Sequence, residues 1–417
     1  MFESKGDDDF MNDKKYPDVC IVGGAGHVGL PMALSFASAG SSVQIYDINK
    51  QTLAMIAEGK MPFVDEGADA YLSHALDNGL LTLTADPADI TPTGVLVITI
   101  GTPVDEFLNP SHGEVKSAID TLLPHITDEH LIVLRSTLYP GTTDWLDRYL
   151  KQLDRKTRVS FCPERSVQGR AIKELSELPQ IISGTSEAAL AEARAFFAPV
   201  VPEIIELPPL EAEFVKLFDN SYRYIEFAIA NQFYMVADQA GADYSKIHFG
   251  MTHGYGRAKH MPRPGFTAGP CLFKDTMQIA AFARNQFSLG NSAMLVNEGL
   301  VLYVIEKIAE QHDLANMSVG LLGMAFKANS DDIRASLSYK MKKHLMMRAR
   351  DVLTTDPYVL NDPALLPLEQ VIEQSDVLIV CAPHADYRGM DVKGKPVFDV
   401  WNHIVPPAPA NVVKGQA

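Results

Sequence analysis

Cys271 stands in the stretch GPCLFKDT, residues 269–276, and is one of only four cysteines in 417 residues. A structural cysteine belongs inside a strand or on an apolar helix face, where it behaves as a small hydrophobe, and Cys20 and Cys381 have that setting. Cys271 instead follows the proline-broken loop GFTAGP and precedes Lys274 and Asp275. A helix starting just after Pro270 puts the thiol at its N-terminus, where the macrodipole favours thiolate, and residues three and four positions on return to the same face. The pattern is that of a nucleophile with a cation and a proton-handling acid beside it. Further back, Lys216, Asn220, Arg223 and Asn231 recur at steps of four, three and eight among Phe214, Leu217, Phe218, Ile225 and Phe227. That spacing puts them near one stripe of a helix, which is either a solvated face or a polar face turned to a cleft. In the second case Lys216 and Asn220 hold an oxyanion.

A second group of residues handles phosphate. Gly24, Gly26 and Gly29 in GGAGHVG follow an apolar run and precede a helical one, and Asp47 lies eighteen residues beyond Gly29. Glycines at this spacing let the backbone turn tightly and approach a pyrophosphate at a helix N-terminus, while the acid takes the ribose hydroxyls. A carboxylate at position 47 favours NAD over NADP, because it repels a 2′-phosphate. Other polar clusters each follow an apolar run: Gly101, Thr102 and Pro103 after VLVITI, Ser136 and Thr137 after LIVLR, Pro163 and Glu164 after RVSFC. Each alone also reads as a turn or cap. In a parallel sheet, however, the carboxyl ends of the strands share one edge where ligands bind, so these segments are expected to converge and to put Thr102 and Thr137 at the cofactor.

The elements that must position these groups follow from the pattern. Short apolar runs alternating with helical stretches from Val19 onward imply a doubly wound α/β sheet, here an N-terminal Rossmann-type domain over residues 15–208. The stretch from Glu211 to Gly241 has no proline and no internal glycine before its end, and predicts one long helix. It opens a central helical region, 209–314, that carries the cysteine loop. A smaller βαβ-type domain, 315–405, begins at MSVGLLGMAFK, runs through a helix over SLSYKMKKHLMMRARD, and ends with SDVLIVCAP and PVFDVW. Residues 1–14 and 406–417 are expected to be loose tails.

Composition limits the function. The chain is 47% hydrophobic and 21% charged, ordinary for a globular protein of two to three domains, and 36 basic against 52 acidic residues give a net charge of −16. Such a balance disfavours nucleic-acid and anionic-membrane partners. Four cysteines without a CxxC pair argue for a reducing compartment and against disulfides or a metal site. The polar, acidic start and the lack of an apolar run approaching about 18 residues point to a cytoplasmic protein.

Taken in order, GGAGHVGLPMALSFASAG, GTPVDE, STLYPGTT, CPERSVQG, AEFVKLFDNSYR, GPCLFKD and GMAFKANSDDIRAS resemble the nucleotide-sugar 6-dehydrogenase family of UDP-glucose and UDP-N-acetylhexosamine dehydrogenases. The resemblance covers nearly the whole chain. It implies an NAD domain, a central helix pairing two chains into a dimer, and a C-terminal Rossmann-like UDP-sugar domain. It implies oxidation of the sugar C6 alcohol to a carboxylate with two NAD. Carried over by position, Cys271 is the nucleophile that forms a thiohemiacetal and then a thioester, and Glu164 assists hydrolysis. Lys216 and Asn220 stabilise the C6 oxygen, and Asp275 with Thr137 orders water and moves protons. Glu164, Lys216, Asn220, Gly269 and Lys327 fall among the substrate contacts, and Arg334 near the cofactor. Arg257, with Arg263 as the competing choice, matches an arginine that reaches the neighbouring subunit's substrate. CPERSVQG, with Gln168 where the UDP-glucose branch has a glutamate, leans to a UDP-N-acetylhexosamine. Ala268 and Pro270 depart from the usual loop before the cysteine, and Leu337 stands where a proline is common. The competing readings are a UDP-glucose 6-dehydrogenase and a nucleotide-sugar-binding protein without the second oxidation.

Overall fold

The computed structural model describes residues 18–92, 94–102, 104–105, 112–266 and 269–405. The expected tails, and Pro103, Glu106, Thr267 and Ala268 of the quoted motifs, lie outside the described residues. The chain divides into two units, one running to Thr102 and from Ser111 to Phe214, the other continuing from Val215.

The first unit is built on six parallel strands: β1 (Val19–Val22), β2 (Val43–Tyr46), β3 (Leu81–Thr84), β4 (Gly94–Ile98), β5 (His130–Leu134) and β6 (Arg158–Phe161). Their order is β3-β2-β1-β4-β5-β6, the doubly wound arrangement. β1, β2 and β5 are buried along their whole length, as strands sheathed by helices on both faces must be, and so read as continuous apolar runs. Val19 lies opposite Val43 on one side and Val95 on the other, so the chain order reverses at β1 and opens a crevice at its carboxyl end. A short parallel pair, β7 (Gln180–Ile182) and β8 (Ile204–Glu206), completes this unit.

The long helix spans Pro209–Gln239. Proline is tolerated in its first turn, where the missing N–H has no partner to lose, and Gly241 at φ +71° takes the left-handed position just beyond its end. Arg223, expected on the polar stripe with Lys216, Asn220 and Asn231, is exposed, whereas Asn220 and Asn231 are buried. A stripe of that width straddles the rim between core and solvent. Arg223 falls on the outer side, where its charge keeps its water.

The second unit also contains four parallel strands, β9 (Ser318–Leu322), β10 (Asp351–Thr355), β11 (Val377–Val380) and β12 (Val397–Phe398), in the order β10-β9-β11-β12. The helix expected through Asp351 stops at Leu345. Met346 and Met347 are exposed and find no core to bury in, Arg350 N–H is drawn to the carbonyls of Leu314 and Met317, and Asp351 already belongs to β10. The helix Ser288–Gln311 is long and apolar enough to cross a membrane. Here Leu300, Val301, Val304, Ile305 and Ile308 pack with Val319, Leu321, Met341 and Ile379 in the core of the second unit.

Candidate active site

In the first unit the glycines do distinct work. A Cβ on Gly29 would come within 2.5 Å of the Gly24 Cα, and one on Gly24 within 2.7 Å of the Ile21 carbonyl, so both are demanded by the tight strand-to-helix turn. A Cβ on Gly26 would meet only the Gly23 carbonyl, at 3.5 Å, so Gly26 leaves open room in front of the helix Gly29–Ser38. No side chain caps that helix, which leaves its N-terminal end available to an anion. Asp47 follows β2, and its carboxylate accepts the Ala25 N–H at 3.0 Å and the Asn49 N–H at 2.9 Å. The acid is thus fixed to the glycine loop it serves.

The three polar segments meet at the carboxyl edge of the sheet. Thr102 Oγ1 donates to the Thr137 carbonyl at 2.6 Å, Ser136 Oγ to the Ile100 carbonyl at 2.5 Å, and Arg135 Nη2 to Glu164 Oε2 at 2.5 Å. Arg135 is fully buried, its Nη1 donates to the Cys162 carbonyl and to Gln180 Oε1, and its guanidinium lies over Phe197. Glu164 accepts the Ser166 N–H with its other oxygen, at 2.7 Å. Arg135 therefore orients Glu164. The sequence held one signal for it, an arginine inside the apolar run LIVLR. Gln168 donates to His27 Nδ1 at 3.0 Å, so its amide engages the glycine loop.

In the second unit, Cys271 stands immediately before the helix Leu272–Phe282 and is exposed, while Cys20, Cys162 and Cys381 are buried. Lys216, Lys274, Arg334 and Asp275 all act electrostatically on its sulfur. Asp275 is fully buried, accepts Asn220 Nδ2 at 2.5 Å and pairs with Lys274 Nζ at 3.1 Å. The thiol is pushed above its ordinary value, first by the protein packed around its side chain and then by Asp275, against the pull of the three cations. This corrects the expectation of a helix-stabilised thiolate. The residue is open to solvent at one side, yet the sulfur's surroundings are largely protein, and desolvation there is the largest influence on the thiol.

The loop after β9 meets the cysteine segment. The Phe326 ring covers Gly269, whose φ of +106° suits glycine and whose Cβ, if present, would lie 2.6 Å from that ring. Lys327 is half-buried in the same loop. Arg334 grips Asp332 through Nε and Nη2, at 2.6 to 3.0 Å. Arg257 is exposed and contacts Tyr255, and Arg263 lines a small cavity with His248 and Trp401. Neither arginine is brought to Cys271 by any contact described within this unit.

The second unit repeats a device of the first. Asp356, just after β10, accepts the N–H groups of Met324 and Ala325 at 2.6 and 2.9 Å, as Asp47 accepts Ala25. Here the acid is sealed by His384, whose Nδ1 accepts the Asn329 N–H, so Nε2 carries the proton given to Asp356. Burial alone would raise the Asp356 carboxyl, but His384 and the backbone amides hold it below the usual range.

Comparison with known proteins matches this architecture piece by piece. The sequence models of the UDP-glucose/GDP-mannose dehydrogenase family match at residues 18–201 (NAD binding domain), 210–299 (central domain) and 320–406 (UDP binding domain). The chain belongs to this family. Within it, a UDP-N-acetyl-D-mannosamine dehydrogenase of Pyrococcus horikoshii is 30% identical over 94% of this chain and 97% of its own. A solved structure of a UDP-D-ManNAc dehydrogenase from Pyrococcus horikoshii superposes with a TM-score of 0.86 at 27% identity, covering 95% of this chain and 97% of that one. A UDP-glucose dehydrogenase from Pyrobaculum islandicum gives 0.85 at 25% identity, covering 93% and 95%.

As a member of the UDP-glucose/GDP-mannose dehydrogenase family, the protein is an NAD-dependent dehydrogenase with a UDP-sugar as its substrate class. The residues present fit the cofactor. The open face of Gly26, the uncapped helix N-terminus and the anchored Asp47 carboxylate form the cradle that a pyrophosphate and a ribose require. In the UDP binding domain the equivalent acid is consumed by His384, which leaves the first unit as the dinucleotide site.

Proposed function

We propose that the enzyme carries out a four-electron oxidation, converting the C6 alcohol of a UDP-N-acetylhexosamine to a carboxylate through intermediates on Cys271. One observation carries the reading: a solvent-open cysteine at a helix N-terminus, ringed by Lys216, Lys274, Arg334 and Asp275 within the half of the chain that includes the UDP binding domain. Bound NAD accepts a hydride in each of the two oxidations. In the first, the C6 hydroxyl loses its proton to solvent by way of Asp275, and Lys216 with Asn220 stabilises the oxygen as charge develops. Cys271 Sγ then adds to the aldehyde carbon, forming a C–S bond as the C=O π bond breaks and the thiol proton passes to the oxygen, which gives a thiohemiacetal. Loss of the second hydride and of the hydroxyl proton leaves a thioester. Water attacks that carbon, the C–S bond breaks, Cys271 leaves as thiolate, and the carboxylate product departs. One alcohol, two NAD⁺ and one water thus give one carboxylate, two NADH and three protons.

Glu164, oriented by Arg135, is assigned to the hydrolytic step, with Thr137 ordering water. Lys327 and Gly269 are assigned to the nucleotide-sugar, Arg334 and Thr102 to the cofactor side, and Arg257 or Arg263 to the neighbouring chain. The N-acetylhexosamine preference rests on the relatives from Pyrococcus horikoshii. Gln168 is engaged with His27 of the glycine loop. The exposed apolar side chains Phe218, Tyr222, Ile229, Phe233 and Val236 of the long helix support a homodimer, and four free thiols support a reducing, cytoplasmic setting.

The test is the stoichiometry of Cys271→Ala. Wild type should release two NADH per sugar consumed. The variant should give at most one slow equivalent, with aldehyde captured by a carbonyl reagent. Two NADH at near wild-type rate would make Cys271 structural and end the covalent reading.

A further inference from the structure

Asn231 lies in the C-terminal half of the long helix with no exposure at all, and a bare amide buried in that way needs partners. Two of them are on one residue. Its Oδ1 accepts the Gly265 N–H at 2.8 Å and its Nδ2 donates to the Gly265 carbonyl at 3.1 Å, so one side chain holds both backbone groups of the residue that opens the cysteine loop. The second proton of Nδ2 goes to Asn297 Oδ1 at 2.9 Å, and Asn297, equally buried, donates to the Tyr224 carbonyl at 3.0 Å. Gly265 is closed off on its other side by Trp401, whose ring a Cβ would meet at 2.1 Å. Gly265 is therefore locked in place.

The same helix grips the segment again beyond the cysteine, through Asn220 on Asp275. The two asparagines are eleven residues apart, about 16 Å along the axis at the helical rise. Cys271 lies between the two points of attachment in the chain, six residues after Gly265 and four before Asp275. We infer that Asn231 is a positioning residue for Cys271, setting where the sulfur stands relative to Lys216 and Asn220 on the helix that carries all three. The inference rests on the covalent reading above for its catalytic consequence, though not for the placement of the thiol.

Three proteins decide it: wild type, Asn231→Asp and Asn297→Asp. In Asn231→Asp the acceptor for the Gly265 N–H survives, but an oxygen now faces the Gly265 carbonyl and Asn297 Oδ1. In Asn297→Asp the acceptor for Asn231 survives and an oxygen instead faces the Tyr224 carbonyl, so a comparable buried charge is introduced while the grip on Gly265 persists. Iodoacetamide labelling of Cys271, read by peptide mass, should change at least about threefold in Asn231→Asp and stay within about twofold of wild type in Asn297→Asp, because a displacement near 1 Å is felt steeply at a reacting atom. NADH per sugar should fall from two towards one only in Asn231→Asp. If both variants lose thermal stability alike and label alike, Asn231 is merely a core amide and the inference is overturned. Wild-type labelling in Asn231→Asp overturns it as well. If Asn231→Asp is insoluble, Asn231→Ala at reduced temperature supplies the same comparison. Should Cys271→Ala still yield two NADH, the covalent reading fails by itself, and the labelling rates still decide whether Asn231 places the thiol.

Discussion

At Cys271 two opposing influences meet. The surrounding protein and Asp275 push the thiol up, and Lys216, Lys274 and Arg334 pull it down, with the first pair prevailing. At neutral pH the resting group is therefore chiefly the thiol, and its reactivity should climb with pH on the alkaline side. The signs are testable by variants. Lys274→Met removes a cation beside the sulfur and leaves Asp275 without its ion pair, so the pH midpoint for iodoacetamide labelling of Cys271 should move up. Asp275→Asn removes the anion, and the midpoint should move down. Shifts in one common direction would mean that the two charges do not act on Cys271 as described. A raised thiol is a poorer leaving group, so in the covalent mechanism proposed above the departing thiolate would depend on Lys216, Lys274 and Arg334 to stabilise its charge.

Among the elements, the long helix has two faces of different use. Its inner face buries Leu217, Tyr224, Ala228 and Asn231. Its outer face exposes Phe218, Tyr222, Ile229, Phe233 and Val236, at steps of four, seven, four and three, a continuous apolar stripe on a single chain. Soluble chains cover such a stripe, and an isologous pairing of two helices does so with one surface. Light scattering on the eluting protein should give twice the chain mass for wild type. The double variant Phe218→Lys and Ile229→Lys should give the single chain mass, because each lysine would bury an unpaired charge in the pairing. An unchanged mass would place the interface elsewhere.

At the scale of the whole molecule, two α/β units use one device for different ends. In the first, Asp47 braces a glycine loop and stays at the cofactor crevice. In the second, Asp356 braces the loop bearing Phe326 and Lys327, with His384 closing over the acid. This unit carries the UDP binding domain of the family. Initial rates of NADH formation with a panel of UDP-sugars test which of them the enzyme takes. UDP-N-acetylhexosamines should exceed UDP-glucose in kcat/KM by about tenfold or more, as a site built around an amide loses that factor with a hydroxyl in its place. Equal or better turnover of UDP-glucose would reject the preference.

The glycine spacing, Asp47, the apolar strand runs, the long helix and the helix start after Pro270 were all legible in the sequence. Each rests on local physics, such as periodicity, caps and the conformations glycine permits, which neighbouring residues decide among themselves. The expected meeting of Thr102, Thr137 and Glu164 also followed, because a parallel sheet gathers its strand ends at one edge. What the sequence left open depends on distant partners. Arg223 turning outward, the helix stopping at Leu345 and Gln168 reaching His27 are outcomes of which side chain finds room or a partner across the fold. The direction of the Cys271 shift is of the same kind. A helix terminus is visible in a string of letters, but desolvation is set by everything packed around a sulfur, and only the tertiary structure assembles that surrounding.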